Sequence, residues 1–124
     1  MLCSTKLLDA RKQYTAFRRQ DVNTFKGTLR SRGTGVCNRW YFTFDGAECA
    51  KPATIEGVVY VRSTQLDPHR HRHIEGYCNL VPKGHVRVGF WIGKCPSGHR
   101  LGSGRTGWGS MSRIVIEEVP PPQE

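Results

Sequence analysis

The chain is 124 residues long, which is the length of a single domain with a modest hydrophobic core. Its composition is that of a globular domain, and no apolar run approaches the ~18 residues of a membrane-spanning helix. Lysine and arginine number 19 against 10 acidic residues. The resulting charge of +9 favours a negatively charged partner: a nucleic acid, an acidic polysaccharide or an anionic membrane surface.

The positive charge is concentrated in the first third of the chain. Between Arg11 and Arg39 there are eight basic residues and one acidic residue, Asp21. This stretch therefore carries +7 of the total charge of +9. Two interpretations remain open, a solvated face and a surface that meets an anionic partner.

The N-terminal third is polar and has weak secondary-structure signals. Residues 4–19 are predicted to be helical, since Leu7, Leu8, Tyr14 and Phe17 are loosely periodic. Phe25 to Arg30 is predicted to be a short strand that Gly27 interrupts.

From Trp40 onward the pattern changes to short β-type runs bounded by turn residues such as Asp45-Gly46. This pattern predicts an all-β domain, an antiparallel sandwich whose core includes Trp40, Phe42, Phe44 and Phe90. Pro96 to Ser110 is predicted to be a long flexible loop, and residues 120–124 a disordered Pro-rich tail. The predicted strands are Trp40–Phe44, Thr54–Arg62, Val86–Ile92 and Arg113–Val119.

Several of these strands carry apolar residues on both faces. The outer face of a simple antiparallel sandwich is polar, so a third layer or a second chain is needed to cover the extra apolar side chains. Because 124 residues cannot supply three layers, we predict self-association. The candidate interface residues are Val58, Tyr60, Trp91 and Val115.

The cysteines indicate an oxidising compartment. Cys37, Cys49, Cys78 and Cys95 are well spaced in a small loop-rich chain, a pattern typical of two disulfides. Buried free thiols are the alternative, and the spacing does not choose among the three pairings. Cys3 is left over, and no C-x-x-C zinc or redox motif is present.

The most unusual run is His69-Arg70-His71-Arg72-His73. In an extended chain its histidines point to one side and its arginines to the other. Three interpretations are open: a zinc site, a cationic loop tip that binds sulfated or carboxylated sugars, and a solvated loop. The polyanion interpretation includes a pH dependence, because imidazoles gain positive charge in mildly acidic solution.

The sequence does not indicate an enzyme or a cofactor. No Gly-x-Ser-x-Gly elbow and no paired carboxylates on a strand are present. Gly102 to Gly107 has the letters of a dinucleotide-binding fingerprint but lacks the strand before it and the helix after it. The aromatic run Arg39 to Phe44 keeps a basic nucleic-acid-binding β domain as the alternative function.

Three segments resemble the collagen triple helix repeat-containing proteins. The closest is the eleven-residue segment from Arg39 to Cys49, RWYFTFDGAEC. Gly89–Cys95 and Thr106–Glu118 are also similar, and Ile55–Tyr60 and Glu75–Cys78 follow in the matching order. Cys37, Cys49, Cys78 and Cys95 stand at the family's positions.

The resemblance implies the C-terminal domain of a secreted extracellular-matrix protein, here over residues 25–119, with residues 1–24 matching poorly. It implies a jelly roll similar to the trimeric heads of complement and tumour-necrosis-factor-like proteins. The partners that it implies are a homotrimer and Wnt–Frizzled receptor components. The basic residues add glycosaminoglycans, and the sequence indicates no nucleic acid, cofactor, metal or membrane span. No signal-peptide core stands within Met1–Arg11, so secretion implies that the chain is part of a longer protein.

Overall fold

The computed structural model of the chain describes residues 5–12, 18–63, 69–82 and 84–119. These residues form an antiparallel β structure with no helix among them, which confirms the predicted all-β class. Cys3 and the tail of residues 120–124, both singled out in the sequence, lie outside the described residues. The strands are β1 (Thr5–Lys12), β2 (Arg18–Arg32), β3 (Val36–Phe44), β4 (Ala47–Glu48), β5 (Glu56–Val61), β6 (Arg70–Pro82), β7 (Val86–Lys94), β8 (Ser103–Thr106) and β9 (Arg113–Val119).

The strands form two sheets that face each other across one core. In sheet A the order is β1-β7-β3, and both β4 and β5 pair with the far side of β3. In sheet B the long strand β2 is central, with β6 on one side and both β8 and β9 on the other. Every strand pair is antiparallel, and the arrangement is a β-sandwich.

Large aromatic side chains join the two sheets. Phe90 stacks on Phe25 of sheet B and also contacts Phe42 of its own sheet, with ring centroids 4.8 Å apart in both pairs. Trp40 is fully buried, and its indole Nε1 donates a 2.8 Å hydrogen bond to the Thr106 hydroxyl. The prediction that Trp40, Phe42, Phe44 and Phe90 share one core is confirmed.

Two disulfides cross-link the sandwich. Cys37 pairs with Cys95, so this bond joins β3 to the residue that follows β7 within sheet A. Cys49 pairs with Cys78, and this bond joins sheet A to β6 of sheet B. Closing chain loops of 58 and 29 residues stabilises the fold by about 4 kcal/mol per bond in the chain-entropy estimate.

The helix predicted over residues 4–19 is wrong in the part that the structure describes. Thr5–Lys12 is a strand that pairs with β7, and the residues from Arg18 already belong to β2. Pairing with β7 satisfies the backbone groups of a segment whose helical periodicity is weak, so tertiary context decides its structure. The sheets therefore begin N-terminal to the predicted domain boundary at Phe25.

Two further local predictions need correction. Gly27 does not interrupt a strand, because β2 runs without a break from Arg18 to Arg32. The region from Pro96 to Ser110 is not all loop, since Ser103–Thr106 forms β8 against the end of β2. Gly104 makes this close packing feasible: a Cβ atom there would lie 2.2 Å from Cδ1 of Ile92.

Candidate functional site

The run from His69 to His73 does not form the predicted loop tip. Arg70 begins β6, an edge strand of sheet B that pairs with β2. The predicted alternation holds along this strand. His71 and His73 share a face with the exposed Glu75, whereas Arg70 and Arg72 share a face with the buried Ile74. The run is therefore divided between two surfaces.

The histidine side of β6 joins a basic cross-strand row on the outer face of sheet B. Lys26 of β2 lies opposite His73 on one side and opposite Arg113 of β9 on the other. Side chains directly opposite each other on antiparallel strands are neighbours on the same face. His71 continues the row toward Thr28. We call Lys26, His71, His73 and Arg113 the basic face; all four are exposed.

The basic face has little internal neutralisation. Nε2 of His73 lies 3.0 Å from the Glu75 carboxylate, and this is the single ion pair of the cluster among the described residues. Lys26 and Arg113 form no ion pair with any described residue. His69 precedes β6, and its ring stacks on Trp108 at a centroid distance of 4.7 Å.

Arg39, the last basic residue of the +7 stretch, lies on the outer face of sheet A and is neutralised there. Its guanidinium forms ion pairs with Glu48 and Glu56, and it lies 4.4 Å from the ring centroid of Tyr41. The Thr54 hydroxyl donates to Glu48 and completes the network. The predicted basic stretch thus does not form one surface.

The ion pairs of Arg39 shift its own pKa and that of Glu48. The hydrogen bond from Arg39 lowers the pKa of Glu48 below its ordinary value of 4.5, against the opposing effect of burial. Burial disfavours the charge on Arg39, but the hydrogen bonds to Glu48 and Glu56 outweigh it and raise its pKa. Both groups are held in their charged forms at neutral pH.

The residues predicted for the self-association surface lie on two different faces. Val58 and Tyr60 are each 50% exposed on β5, on the outer face of sheet A. Trp91 is partly buried on the same face, and its indole Nε1 donates a 2.8 Å hydrogen bond to the Thr43 hydroxyl. Val115 is 54% exposed but belongs to the outer face of sheet B.

The structure gives no support to a metal centre at the histidine run. Among the described ranges, no three His, Cys, Asp or Glu side chains converge in a way that would hold a metal ion. No helix of the described chain is long and apolar enough to cross a membrane.

Sequence reasoning did not identify Lys26 and Arg113 as partners of the histidine run. They are separated from it by about 45 and 40 residues in the chain, and the strand register alone brings them together. The excess of basic residues between Arg11 and Arg39 pointed to a positive surface, but it did not indicate which of these residues lie next to β6.

A family comparison covers most of the sandwich. The sequence model of the CTHRC1 C-terminal domain matches residues 8–116, a range that extends from within β1 to within β9. The chain belongs to the CTHRC1 C-terminal domain family. This match confirms the resemblance seen in the sequence.

No solved structure matches the chain. The sandwich architecture of this CTHRC1 C-terminal domain is therefore described from the strand pairing of this chain alone. The likeness to complement and tumour-necrosis-factor-like heads stays a prediction.

Proposed function

We propose that this CTHRC1 C-terminal domain is a secreted, non-enzymatic module of the extracellular matrix that binds sulfated polysaccharides through the basic face. The observation that carries the proposal is the row of Lys26, His73 and Arg113, which the pairing of β2 with β6 and β9 brings together. Sulfate and carboxylate groups repeat along a glycosaminoglycan chain. A cross-strand row of basic side chains with few carboxylates nearby is complementary to such a chain.

The two disulfides support the extracellular assignment. The structure contains the disulfides Cys37–Cys95 and Cys49–Cys78. Disulfides persist in oxidising compartments and are rare in the cytosol and nucleus. They disfavour the alternative function, a basic nucleic-acid-binding β domain, because most nucleic acids lie in the nucleus and the cytosol. Reducing and non-reducing mass spectrometry of secreted material separates the two, since free thiols at these positions would contradict the extracellular assignment.

Self-association is a second proposal, favoured by the exposed apolar side chains on β5. Val58 and Tyr60 are half exposed on a strand that pairs with β3 alone among the described strands. Burial of this apolar surface between subunits would stabilise the assembly by about 25 cal/mol for each Å² removed from water. The family resemblance favours a homotrimer and adds Wnt–Frizzled receptor components as candidate protein partners.

Heparin binding tests the polysaccharide proposal. We expect affinity to fall steeply with NaCl, because counterions leave the polyanion when it binds. We also expect affinity to rise from pH 7.5 to pH 5.5 as imidazoles gain charge. The charged groups that face His71 and His73 are Lys26 from β2, Arg113 from β9 and Glu75 on β6 itself. Protonation therefore adds to a surface that is already positive.

Replacement of His69, His71 and His73 by Gln is the matched variant. It should remove the pH dependence and leave most of the affinity at pH 7.5. Elution of the wild-type domain from heparin at low salt at both pH values would contradict the proposal. A histidine variant that still binds more tightly at pH 5.5 would show that these residues are not the sensor.

A further inference from the structure

The arginine side of the run from His69 to His73 lines a separate cleft at the edge of the sandwich. The cleft lies where β5 ends and β6 begins, and its volume is about 420 Å³. Arg70 and Arg72 line it from β6, and Arg62, which follows β5, lines it from the other side. Leu29 of β2 lies directly opposite Arg70 in the strand register and forms part of the apolar wall.

The three guanidinium groups of this arginine cleft have no carboxylate partner in the described part of the chain. Arg39, in contrast, is paired with Glu48 and Glu56. Guanidinium groups remain protonated at any physiological pH and repel one another when they are placed close together. An oxyanion between them would relieve this repulsion and accept several hydrogen bonds from their forked donors.

A buried hydroxyl provides a second, independent sign of a ligand. Ser31 also lines the cleft and is only 2% exposed. Its Oγ has no hydrogen-bond partner within the described residues. A buried hydroxyl without a partner costs free energy, and an oxyanion in the cleft could accept the hydrogen bond that it has to offer.

We propose that the cleft lined by Arg62, Arg70, Arg72 and Ser31 binds a single sulfo group of a sulfated sugar. This deepens the proposed function, on which it rests, by dividing polysaccharide binding between two surfaces. The cleft holds one sulfate ester in a defined position. The basic face attracts the rest of the polysaccharide chain electrostatically. A volume of about 420 Å³ lies within the usual range for a small-molecule site and accommodates one sulfated sugar unit.

The two surfaces differ in their response to pH. Arginine charge does not change between pH 5.5 and pH 7.5. The His99 imidazole borders the lining, but its ring contacts Tyr60 and not an arginine, so we expect the cleft to bind its sulfo group equally well at both values. The pH dependence of heparin binding belongs to the histidine side of β6. Sulfate binding that does not change with pH therefore distinguishes the cleft from the basic face.

Backbone amide NMR of the whole domain, titrated with inorganic sulfate, tests the cleft directly. We expect saturable shifts at Leu29, Ser31 and Arg62 that are the same at pH 5.5 and pH 7.5. The double variant Arg62→Gln with Arg70→Gln should weaken sulfate binding at least ten-fold. Lys51→Gln with Lys94→Gln removes the same charge at exposed positions outside the cleft and should leave sulfate binding unchanged.

The outcomes separate the cleft from the proposed function. Heparin binding without saturable sulfate shifts at the cleft residues would overturn the cleft and leave the proposed function standing. Saturable sulfate binding in a domain that does not bind heparin would support the cleft and contradict the proposed function. Inorganic phosphate is titrated in parallel, and an affinity more than ten-fold above that of sulfate would overturn the sulfo-group assignment.

Discussion

The outer faces of both sheets carry basic side chains, but these differ in how far carboxylates of the domain neutralise them. On sheet A, Arg39 is held by Glu48 and Glu56 and stacks on Tyr41, so its charge is compensated within the domain. On sheet B, Lys26 and Arg113 have no described carboxylate partner and lie in one row with His73. Net charge therefore does not locate a polyanion surface; the distribution of carboxylates does.

The apolar residues divide between the same two faces. Val58 lies directly opposite the neutralised Arg39 of sheet A, so a second copy of the chain packed there would bury few unpaired charges. Tyr60 lies one row away on the same face and also borders the arginine cleft. On sheet B, Val115 lies one cross-strand row from Lys26 and Arg113. Burying that neighbourhood would desolvate unpaired cations, which is costly. We therefore propose self-association through the surface around Val58 on sheet A and contact of the polyanion chain with the basic face of sheet B.

The largest expected effect comes from placing a charge in the proposed self-association surface. Val58→Asp would bury a carboxylate between subunits without a partner, a cost of several kcal/mol, so the assembly should dissociate. Sedimentation equilibrium should give nearly three times 14.0 kDa for the wild-type domain and nearly 14.0 kDa for the variant.

The matched control is Val115→Asp, which introduces the same change at a similarly exposed valine on sheet B. It should leave the mass of the assembly unchanged. A wild-type domain that is monomeric at high micromolar concentration would refute self-association. Dissociation by Val115→Asp but not by Val58→Asp would reverse the assignment of the two faces.

A smaller effect is expected from the ion-pair network that neutralises Arg39. Glu48→Gln should lower the free energy of unfolding at pH 7 by about 0.5–1 kcal/mol, a modest value because Glu48 is partly exposed and screened by solvent. The pKa of Glu48 is lowered in the folded state, so its stabilising contribution exists above pH 4.5 and is lost as the pH falls through the folded value.

Urea denaturation at pH 7 and pH 3 measures this difference. The gap between wild type and Glu48→Gln should narrow at pH 3. Glu117→Gln on sheet B is the control, because Glu117 forms no ion pair with a described residue. Equal stability of wild type and Glu48→Gln at pH 7 would show that the network around Arg39 does not contribute.

The sequence predicted the parts of the fold in which local pattern and burial agree. The β3 run from Trp40 to Phe44 is rich in aromatic residues and ends at the turn signal Asp45-Gly46, and it is a strand whose aromatic side chains are buried. The strand Thr5–Lys12 was missed because its local pattern is weak and its partner β7 lies about 80 residues away. The strand β8 was missed because Gly102, Gly104 and Gly107 in and around it are typical of a loop, although Gly104 permits close packing on Ile92.

The candidate site was predictable to a similar extent. The sequence predicts that histidines and arginines from His69 to His73 point to opposite sides, because successive side chains of an extended chain alternate in direction. The partners on each side were not predictable, because Lys26 and Arg113 reach the histidines through strand register and Arg62 reaches the arginines through the edge of the sandwich. Long-range pairing carries no signal in a single sequence.

Heparin affinity of two charge-matched double variants tests the difference between the faces most directly. Lys26→Ala with Arg113→Ala removes two charges from the basic face, and Lys51→Ala with Lys94→Ala removes two exposed charges outside the basic face. Both variants lower the net charge from +9 to +7. We expect the first to weaken heparin binding at least ten-fold at 0.15 M NaCl and the second to change it less than two-fold. Equal losses in the two variants would show that net charge alone governs binding, and would contradict a polysaccharide site on sheet B.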